Sequence, residues 1–146
     1  MPQTGQVKDP YLGFDFAVEL DGITRATFQE ASGLDSSIQV AEYQEGGQRG
    51  PMKVPGQNKY SNIVLKWGSS DDHDLYDWHR QWLTGDPAAA RKNGSVVLRD
   101  RTGTEVIRWN FVRAWPLKWT GPTFNAKGND VAIETLELAH EGVARA

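Results

Sequence analysis

The first strongly patterned segment, Phe14–Leu20, alternates apolar residues with acidic or small ones at every position. This period of two is that of a half-buried β-strand and does not suit an amphipathic helix. Asp21 and Gly22 follow, a pair favoured in two-residue turns because both positions need a positive φ. The sequence therefore predicts a hairpin whose second arm runs from Ile23 to Phe28. The residues expected on its first buried face are Phe14, Phe16, Val18 and Leu20.

The remainder of the chain contains further short segments that are alternating or rich in β-branched and aromatic residues. They predict strands at 37–43, 60–67, 95–99, 105–111, 115–120 and 130–140. One segment, 70–84, has a helical period instead, with acids near its start and Gly85 and Pro87 beyond its end. Its expected packing face carries Leu75, Trp78, His79 and Trp82. We therefore predict a mainly β fold, a β-barrel or two-sheet sandwich with one flanking α-helix.

Composition excludes several classes of protein. The 146 residues suit a single domain spanning 1–146, and the chain has no cysteine, which rules out disulfides, thiolate catalysis and cysteine-bound metals. The net charge of −3 creates no overall field for nucleic acid or anionic lipid. The first ten residues contain no apolar signal region, and no apolar run reaches the ~20 residues that span a bilayer. We expect assembly in the cytoplasm without a signal peptide and no membrane anchor.

Candidate catalytic and metal-binding residues do not form a convincing site. Asp71, Asp72, His73 and Asp74 spread around the start of the predicted helix, where acids stabilise the positive end of the helix dipole, and only His73 and Asp77 share a face. His79 lies on the apolar stripe, as expected of a packed histidine. The phosphate-binding, dinucleotide-binding, metalloprotease and serine-hydrolase motifs are missing. We predict no catalytic residue, no cofactor and no metal.

Six tryptophans leave a second function open, a secreted carbohydrate-binding β-sandwich that stacks sugars on exposed rings. Most of these tryptophans have apolar neighbours on their own face, which favours core or interface positions instead. The predicted strand edges carry few prolines or lysines to block pairing, apart from Pro116, which suits an edge or a bulge. Open edges favour pairing between copies of the chain, and head-to-tail pairing that closes makes a ring.

The segment 45–57 differs from the rest because it holds four glycines, two prolines and two basic residues. A loop of this length inside a compact domain is uncommon and is usually functional or disordered. We predict an extended loop at 45–60 but, from its composition alone, no role for it.

Many short motifs of a recognisable pattern occur in order along nearly the whole chain. The C-terminal ones are Arg108-Trp109-Asn110-Phe111, Ala114–Pro122, Asn125–Asn129 and Val131–Gly142. The upstream ones are Asp9-Pro10-Tyr11, the 14–22 hairpin, Ser32-Gly33-Leu34, Glu42–Gly47, Pro55-Gly56, Lys59-Tyr60 and Asp74–Trp78. Each motif is weak by itself, but so many in register are specific, and together they resemble the tail tube proteins of contractile phages and phage-like extracellular contractile injection systems.

The resemblance implies a non-catalytic inner tube subunit. In this family, hexameric rings stack into a rigid hollow tube that a contracting sheath drives through a target envelope. The implied partners are other copies of the chain, a sheath protein, baseplate and tail-terminator proteins, and a lumen cargo such as a toxin, a tape measure protein or DNA. The implied location is a virion tail or an extracellular or cell-associated injection particle. The sequence does not separate a phage tail from an injection system or a bacteriocin, nor a main tube subunit from a baseplate-proximal one.

The resemblance also assigns roles to residues. The 45–60 loop becomes a link between rings, carried by Glu45, Gly46, Gly47, Arg49, Lys53, Pro55, Lys59 and Tyr60. The expected barrel and interface residues are Trp109, Phe111, Trp115, Trp119, Ile133, Leu136 and Leu138. We further hypothesise that Arg49 and Lys53 meet acids of the next ring, such as Asp71, Asp72 or Glu45, and so set the register between rings.

Overall fold

The computed structural model describes residues 11–12, 15–21, 23–25, 28–47, 50–128 and 130–146. The strands are β1 (Phe16–Leu20), β2 (Ile23–Arg25), β3 (Phe28–Ser32), β4 (Ser36–Tyr43), β5 (Met52–Tyr60), β6 (Ile63–Gly68), β7 (Lys92–Arg99), β8 (Glu105–Thr120), β9 (Ile133–Ala139) and β10 (Gly142–Arg145). A helix, α1, spans Asp74–Leu83 between β6 and β7. The predicted mainly β fold with one helix is confirmed.

Two sheets make up the fold. The larger has eight strands in the order β2-β1-β7-β8-β9-β6-β3, with β10 also paired to β8, and the smaller consists of β4 and β5 alone. The larger sheet is not closed, so the barrel alternative is wrong. In the described part of the chain β2 and β3 do not pair, and an apolar cleft of about 260 Å³ lies beside β3, lined among others by Phe16, Leu34, Leu98 and Trp109.

The long strand β8 joins the two halves of the large sheet. Its first half pairs with β7 and β10, and its second half pairs with β9. Arg113 has a φ of 51° at the change of partner, and its N–H donates to the Asn93 side chain over 2.9 Å. The sequence predicted two strands here, at 105–111 and 115–120. One bent strand forms instead because the left-handed residue redirects the backbone without ending it.

The core lies where the two halves of the sheet face each other. Val18, Leu20 and Phe111 come from one half, Leu65 and Leu138 from the other, and all are nearly inaccessible to solvent. Alternation brings this about, since Ile63, Leu65 and Trp67 are buried while the residues between them are half-buried. These apolar side chains exclude water from both halves at once, which stabilises the fold of the sheet over itself.

The helix packs against the second half of β8 and begins later than predicted. It starts at Asp74 instead of residue 70, because the His73 carbonyl accepts its first helical hydrogen bond, from Asp77. Gly85, with a φ of 67°, follows the last turn as predicted. His79 is buried, and its Nδ1 lies 3.0 Å from the Pro116 carbonyl. The helix thereby covers Pro116 of β8, whose side chain is fully buried.

Other boundaries also differ from the prediction. Leu20 pairs with Ile23 across the expected two-residue turn, but the second arm ends at Arg25, and Phe28 begins β3, which pairs with β6. The predicted strand 60–67 begins at Ile63 because β5 takes the residues up to Tyr60. The predicted strand 130–140 is shortened to β9, and β10 is a further strand that the sequence did not predict. Phe14 and Gly22 lie outside the described residues. Within those ranges, no helix is long and apolar enough to cross a bilayer.

An ion-pair group holds β1 and β8 together across β7. Arg108 on β8 donates to Glu19 of β1 over 2.9 Å and to Glu105 over 3.0 Å. The hydrogen bonds from Arg108 lower the pKa of the Glu105 carboxyl below its ordinary value. The ionised form of Glu105 is therefore favoured in the folded chain.

We expect acid to remove the stability that this ion-pair group contributes. A depressed folded pKa gives stability that is present above the unfolded pKa and is lost as pH falls through the folded one. The difference in unfolding free energy between the protein and Glu105→Gln should therefore shrink below about pH 4.5, the ordinary value for this carboxyl. Urea unfolding between pH 3 and pH 7 measures it. The control is the same substitution in an Arg108→Ala background, where the effect of Glu105→Gln should no longer depend on pH in this way. If the pH dependence were the same with and without Arg108, the contact with Arg108 would not be its cause.

Candidate assembly surface

The two-stranded sheet of β4 and β5, called here the ribbon, stands apart from the core. Both strands are exposed along their whole length and pair only with each other. An isolated two-stranded ribbon is marginally stable in water, because too little apolar surface is buried to offset the ordering of its backbone. The ribbon is therefore the element of the described chain that most needs an external partner.

Both faces of the ribbon carry apolar side chains. Ile38 and Val40, each 60% exposed, point to one face, which we call the Val40 face. Val54 is the neighbour of Ala41 across the strands. It lies with Met52 and Tyr43 on the opposite face of the ribbon, which we call the Val54 face. An ordinary surface hairpin has one apolar face on the core and one polar face in water. Apolar residues on two exposed faces are typical of a surface that is covered on both sides by other chains.

The predicted loop at 45–60 is wrong in its extent. Residues 52–60 form β5, and of this segment only residues 45–47 and 50–51 are described outside a strand. Pro55 and Gly56, which indicated a loop, fit into the strand at a register shift opposite Ile38 and Val40. A β-carbon at Gly56 would lie 3.0 Å from the Gln39 carbonyl oxygen, so glycine allows the two strands to approach closely there.

The residues predicted for the link between rings lie along this ribbon. Glu45, Gly46 and Gly47 lie at its tip, where the φ of Gly47 is 93°. The strand β5 carries Lys53, Pro55, Lys59 and Tyr60. Lys53 is the neighbour of Glu42 across the strands. Arg49 lies outside the described residues, and Asp71 and Asp72 are exposed before the helix.

The other predicted residues lie in the body of the molecule. Leu75 and Trp78 are buried under the helix, and Trp82 is half-buried with its ring 5.7 Å from that of Trp115. Phe111, Leu136 and Leu138 are core residues, while Trp109, Trp119 and Ile133 are half-buried. The ring of Trp119 lies 5.3 Å from Trp67 and 5.1 Å from Tyr76.

The tryptophans offer no platform for a sugar. Each of the six is buried or half-buried, and the exposed large aromatics among the described residues are Tyr11, Tyr43, Tyr60, Tyr76 and Phe124. The indole N–H of Trp78 donates to the Ala90 carbonyl over 2.8 Å, and that of Trp67 donates to Glu134 over 2.9 Å. These rings are held inward by packing and hydrogen bonds, which disfavours the carbohydrate-binding alternative.

Several titratable side chains of the described residues pair with each other. His73 Nδ1 lies 2.7 Å from an Asp77 carboxylate oxygen, and this contact raises the pKa of His73 above its usual range. Glu141 accepts from Arg113 over 2.8 Å and lies 3.8 Å from Arg91. Across the described ranges, no three His, Asp or Glu side chains come together as metal ligands.

A close contact marks the joint between the ribbon and the body. β3 and β6 pair with each other, and the ribbon continues from both of them through residues 33–35 and 61–62. Gly33 has a φ of 89°, and a β-carbon there would lie only 2.0 Å from the Asn62 carbonyl oxygen. The two connections can therefore run side by side only if residue 33 is glycine.

We expect Gly33→Ala to destabilise the protein substantially. A non-glycine residue in this conformation costs of order 1–3 kcal/mol, and the clash with Asn62 adds to that. Thermal unfolding measures the loss. Gly46→Ala at the ribbon tip is the matched control, because a β-carbon there meets nothing within 4 Å. Equal melting temperatures for the two variants would contradict the tight joint.

Sequence patterns do not reveal that the apolar residues of β4 and β5 lie at the surface, and they indicate no role for His140. Ile38 and Val40 had the alternation of a half-buried strand, and only the absence of a covering element shows them to be exposed. Met52 and Val54 alternate in the same way inside the segment that was predicted as a loop. That alternation, between Gly50 and Gly56, is the sequence signal that indicates a strand here.

A family model described as T4-like virus tail tube protein gp19 matches residues 12–144 of the chain. A comparison with curated proteins gives no match.

Several solved structures have the same fold. One is a chain in the sheath-tube complex, in the extended state, of the PVC extracellular contractile injection system. It has 28% identity and a TM-score of 0.84, and the match covers 100% of this chain and 99% of that one. A chain of the tube-terminating cap of the anti-feeding prophage has 27% identity and a TM-score of 0.86 over 99% of this chain and 95% of that one. Hcp1 from Flavobacterium johnsoniae, at 19% identity and a TM-score of 0.56, shares the fold over 90% of this chain and 94% of that one.

Proposed function

Because this chain belongs to the T4-like virus tail tube protein family, we propose that it is the inner tube subunit of a contractile injection system or phage tail. Its copies form hexameric rings, and the rings stack into a rigid hollow tube. The observation that carries the proposal is the ribbon, which exposes apolar residues on both faces and has no partner strand in the large sheet. The subunit is structural and catalyses nothing.

Assembly supplies what the isolated ribbon lacks. A head-to-tail contact between copies covers the ribbon of one subunit with the body of the next, and such contacts generate a ring when the rotation closes. A stable interface of this kind buries about 1,600 Å² or more in total. The open edges of β10 and β2 in the large sheet provide unpaired backbone groups for further strands.

The ribbon and its tip link neighbouring rings in this proposal. Lys53 of β5 and Arg49 meet acidic side chains of the next ring, for which Asp71 and Asp72 are exposed candidates. Charged side chains at the edge of an interface between rings determine the register and the association rate of the rings more than their affinity. The helix face of Leu75, Trp78 and Trp82 has a different task, since it packs on the subunit's own sheet and stiffens the wall.

The relatives support the proposed partners. The similarity to chains of a sheath-tube complex and of a tube-terminating cap supports a surrounding sheath and a terminator as partners, with a baseplate at the other end. Contraction of the sheath then drives the tube through a target envelope. The protein is accordingly part of a phage-like or extracellular injection particle, and the lumen holds its cargo.

Negative-stain microscopy of the purified protein tests the proposal. We expect rings of six subunits, with stacks of rings at higher protein concentration. Analytical ultracentrifugation should show an increase in sedimentation with concentration, because the rings form by association. Monomers at every concentration that bind glycans on an array would overturn the proposal in favour of the carbohydrate-binding alternative.

A further inference from the structure

The joint between the ribbon and the body contains a histidine whose two ring nitrogens are both engaged. His140 Nε2 lies 2.8 Å from the carbonyl oxygen of Ser61, the first residue after β5. The backbone N–H of Gly142, the first residue of β10, donates to His140 Nδ1 over 3.2 Å. One side chain therefore connects the base of the ribbon to the turn between β9 and β10.

These two contacts determine the protonation of the ring. A carbonyl oxygen only accepts, so Nε2 carries the proton, and a backbone N–H only donates, so Nδ1 is unprotonated. The neutral ring thus acts as donor toward the ribbon and as acceptor toward β10. No other residue type offers a donor and an acceptor at these two positions on a rigid ring.

The surroundings hold the ring in place. The ring of Tyr60, the last residue of β5, lies 5.8 Å from that of His140, and the ring of Phe111 lies 6.4 Å away. Glu141, the next residue, is held by Arg113 and Arg91. The β9–β10 turn is therefore anchored to β8, and the hydrogen bond of His140 to Ser61 connects this anchored turn to the ribbon.

We propose that His140 is the positioning residue of the ribbon, fixing its angle to the body so that it meets the next copy in a tube. The inference rests on the proposed self-assembly but concerns a separate property, the orientation of the ribbon in each subunit. The ribbon shares no ladder with the large sheet, so the joint must set this angle. A pre-oriented ribbon associates more readily because less conformational freedom is lost on contact.

Two substitutions separate the two contacts of the ring. The Oδ1 of asparagine is as many bonds from the backbone as Nδ1 of histidine, so His140→Asn keeps the acceptor for Gly142 and loses the donor to Ser61. The Nε2 of glutamine matches Nε2 of histidine, so His140→Gln keeps the donor to Ser61. Both variants remove the ring, so loss of its packing with Tyr60 is common to them, and their difference reports the contact with the ribbon.

Ribbon orientation is measured directly by spin labels. The chain has no cysteine, so Gln44→Cys at the ribbon tip and Arg80→Cys on the helix give two specific labels. We expect a narrow distance distribution for the protein and for His140→Gln, and one at least twice as broad for His140→Asn. Equal widths for the two variants would overturn the inference, whether or not the chain assembles.

Assembly is the second readout. We expect the concentration needed for tube formation to rise at least fivefold in His140→Asn and less than twofold in His140→Gln, with similar melting temperatures for the two. Tubes formed equally well by both variants would overturn the inference and leave the proposed function standing. Failure of the unsubstituted protein to assemble would contradict the proposed function, and the label distances would still decide the role of His140.

Discussion

Replacing Val40 by aspartate is expected to abolish ring and tube formation while the subunit stays folded. Val40 is 60% exposed in the subunit, so the substitution should change the unfolding free energy by less than about 0.5 kcal/mol. In the proposed tube a neighbouring copy covers this position, and an unpaired carboxylate there would be costly to bury. The cost recurs at every interface of the polymer, so the effect on assembly is large.

The two faces of the ribbon can be tested separately. Val54→Asp places the charge on the Val54 face and should also block assembly, because both faces are apolar and exposed. Val40→Thr and Val54→Thr are the matched controls, since they keep the shape and introduce no charge. Sedimentation and negative-stain microscopy give the result, and circular dichroism confirms folding. Normal tubes from either aspartate variant would show that the face concerned is not covered.

The second large effect is expected at Trp78, under the helix. Its side chain is 3% exposed, belongs to the core and donates to the Ala90 carbonyl. Trp78→Ala should lower the unfolding free energy by roughly 3–5 kcal/mol, because it leaves a cavity between α1 and the sheet. Thermal or urea unfolding measures this loss.

Trp82 provides a comparison on the same helix face. It is half-buried, and its indole N–H finds no acceptor among the described residues. Trp82→Ala should therefore cost clearly less than Trp78→Ala. Trp82→Phe should be nearly neutral, while Trp78→Phe loses a hydrogen bond. Equal losses at the two positions would contradict the packing of the helix described here.

Part of the fold was predictable because its cause is local. Ile63, Leu65 and Trp67 alternate with more polar residues, and every second side chain of a strand points to the same face, so their burial follows from order alone. The helix was predictable because Leu75, Trp78 and His79 recur at helical spacing. Its start was not, because the acidic residues from Asp71 to Asp74 suit the first turn of a helix at several positions, and the helix begins only at Asp74.

The ribbon shows the limit of such reasoning. Ile38 and Val40 have the same local pattern as Ile63 and Leu65, yet one pair is exposed and the other is fully buried. The difference depends on whether another part of the chain lies over the strand, which alternation does not report. Similarly, Pro55 and Gly56 are typical of loops, yet they lie within β5, at a register shift where the backbone of Gly56 approaches that of Gln39 closely.

Residue order was enough to predict the class of the fold, the faces of the short core strands, the helix and, through many motifs in register, the family. These follow from periodicities and residue order within short stretches of chain. The open sheet, the bend of β8 at Arg113 and the free-standing ribbon with His140 at its base are seen only in the folded chain. Each of these features depends on contacts between residues far apart in the chain, such as the contact of Ser61 with His140. A local sequence pattern carries no information on the free energy of such contacts.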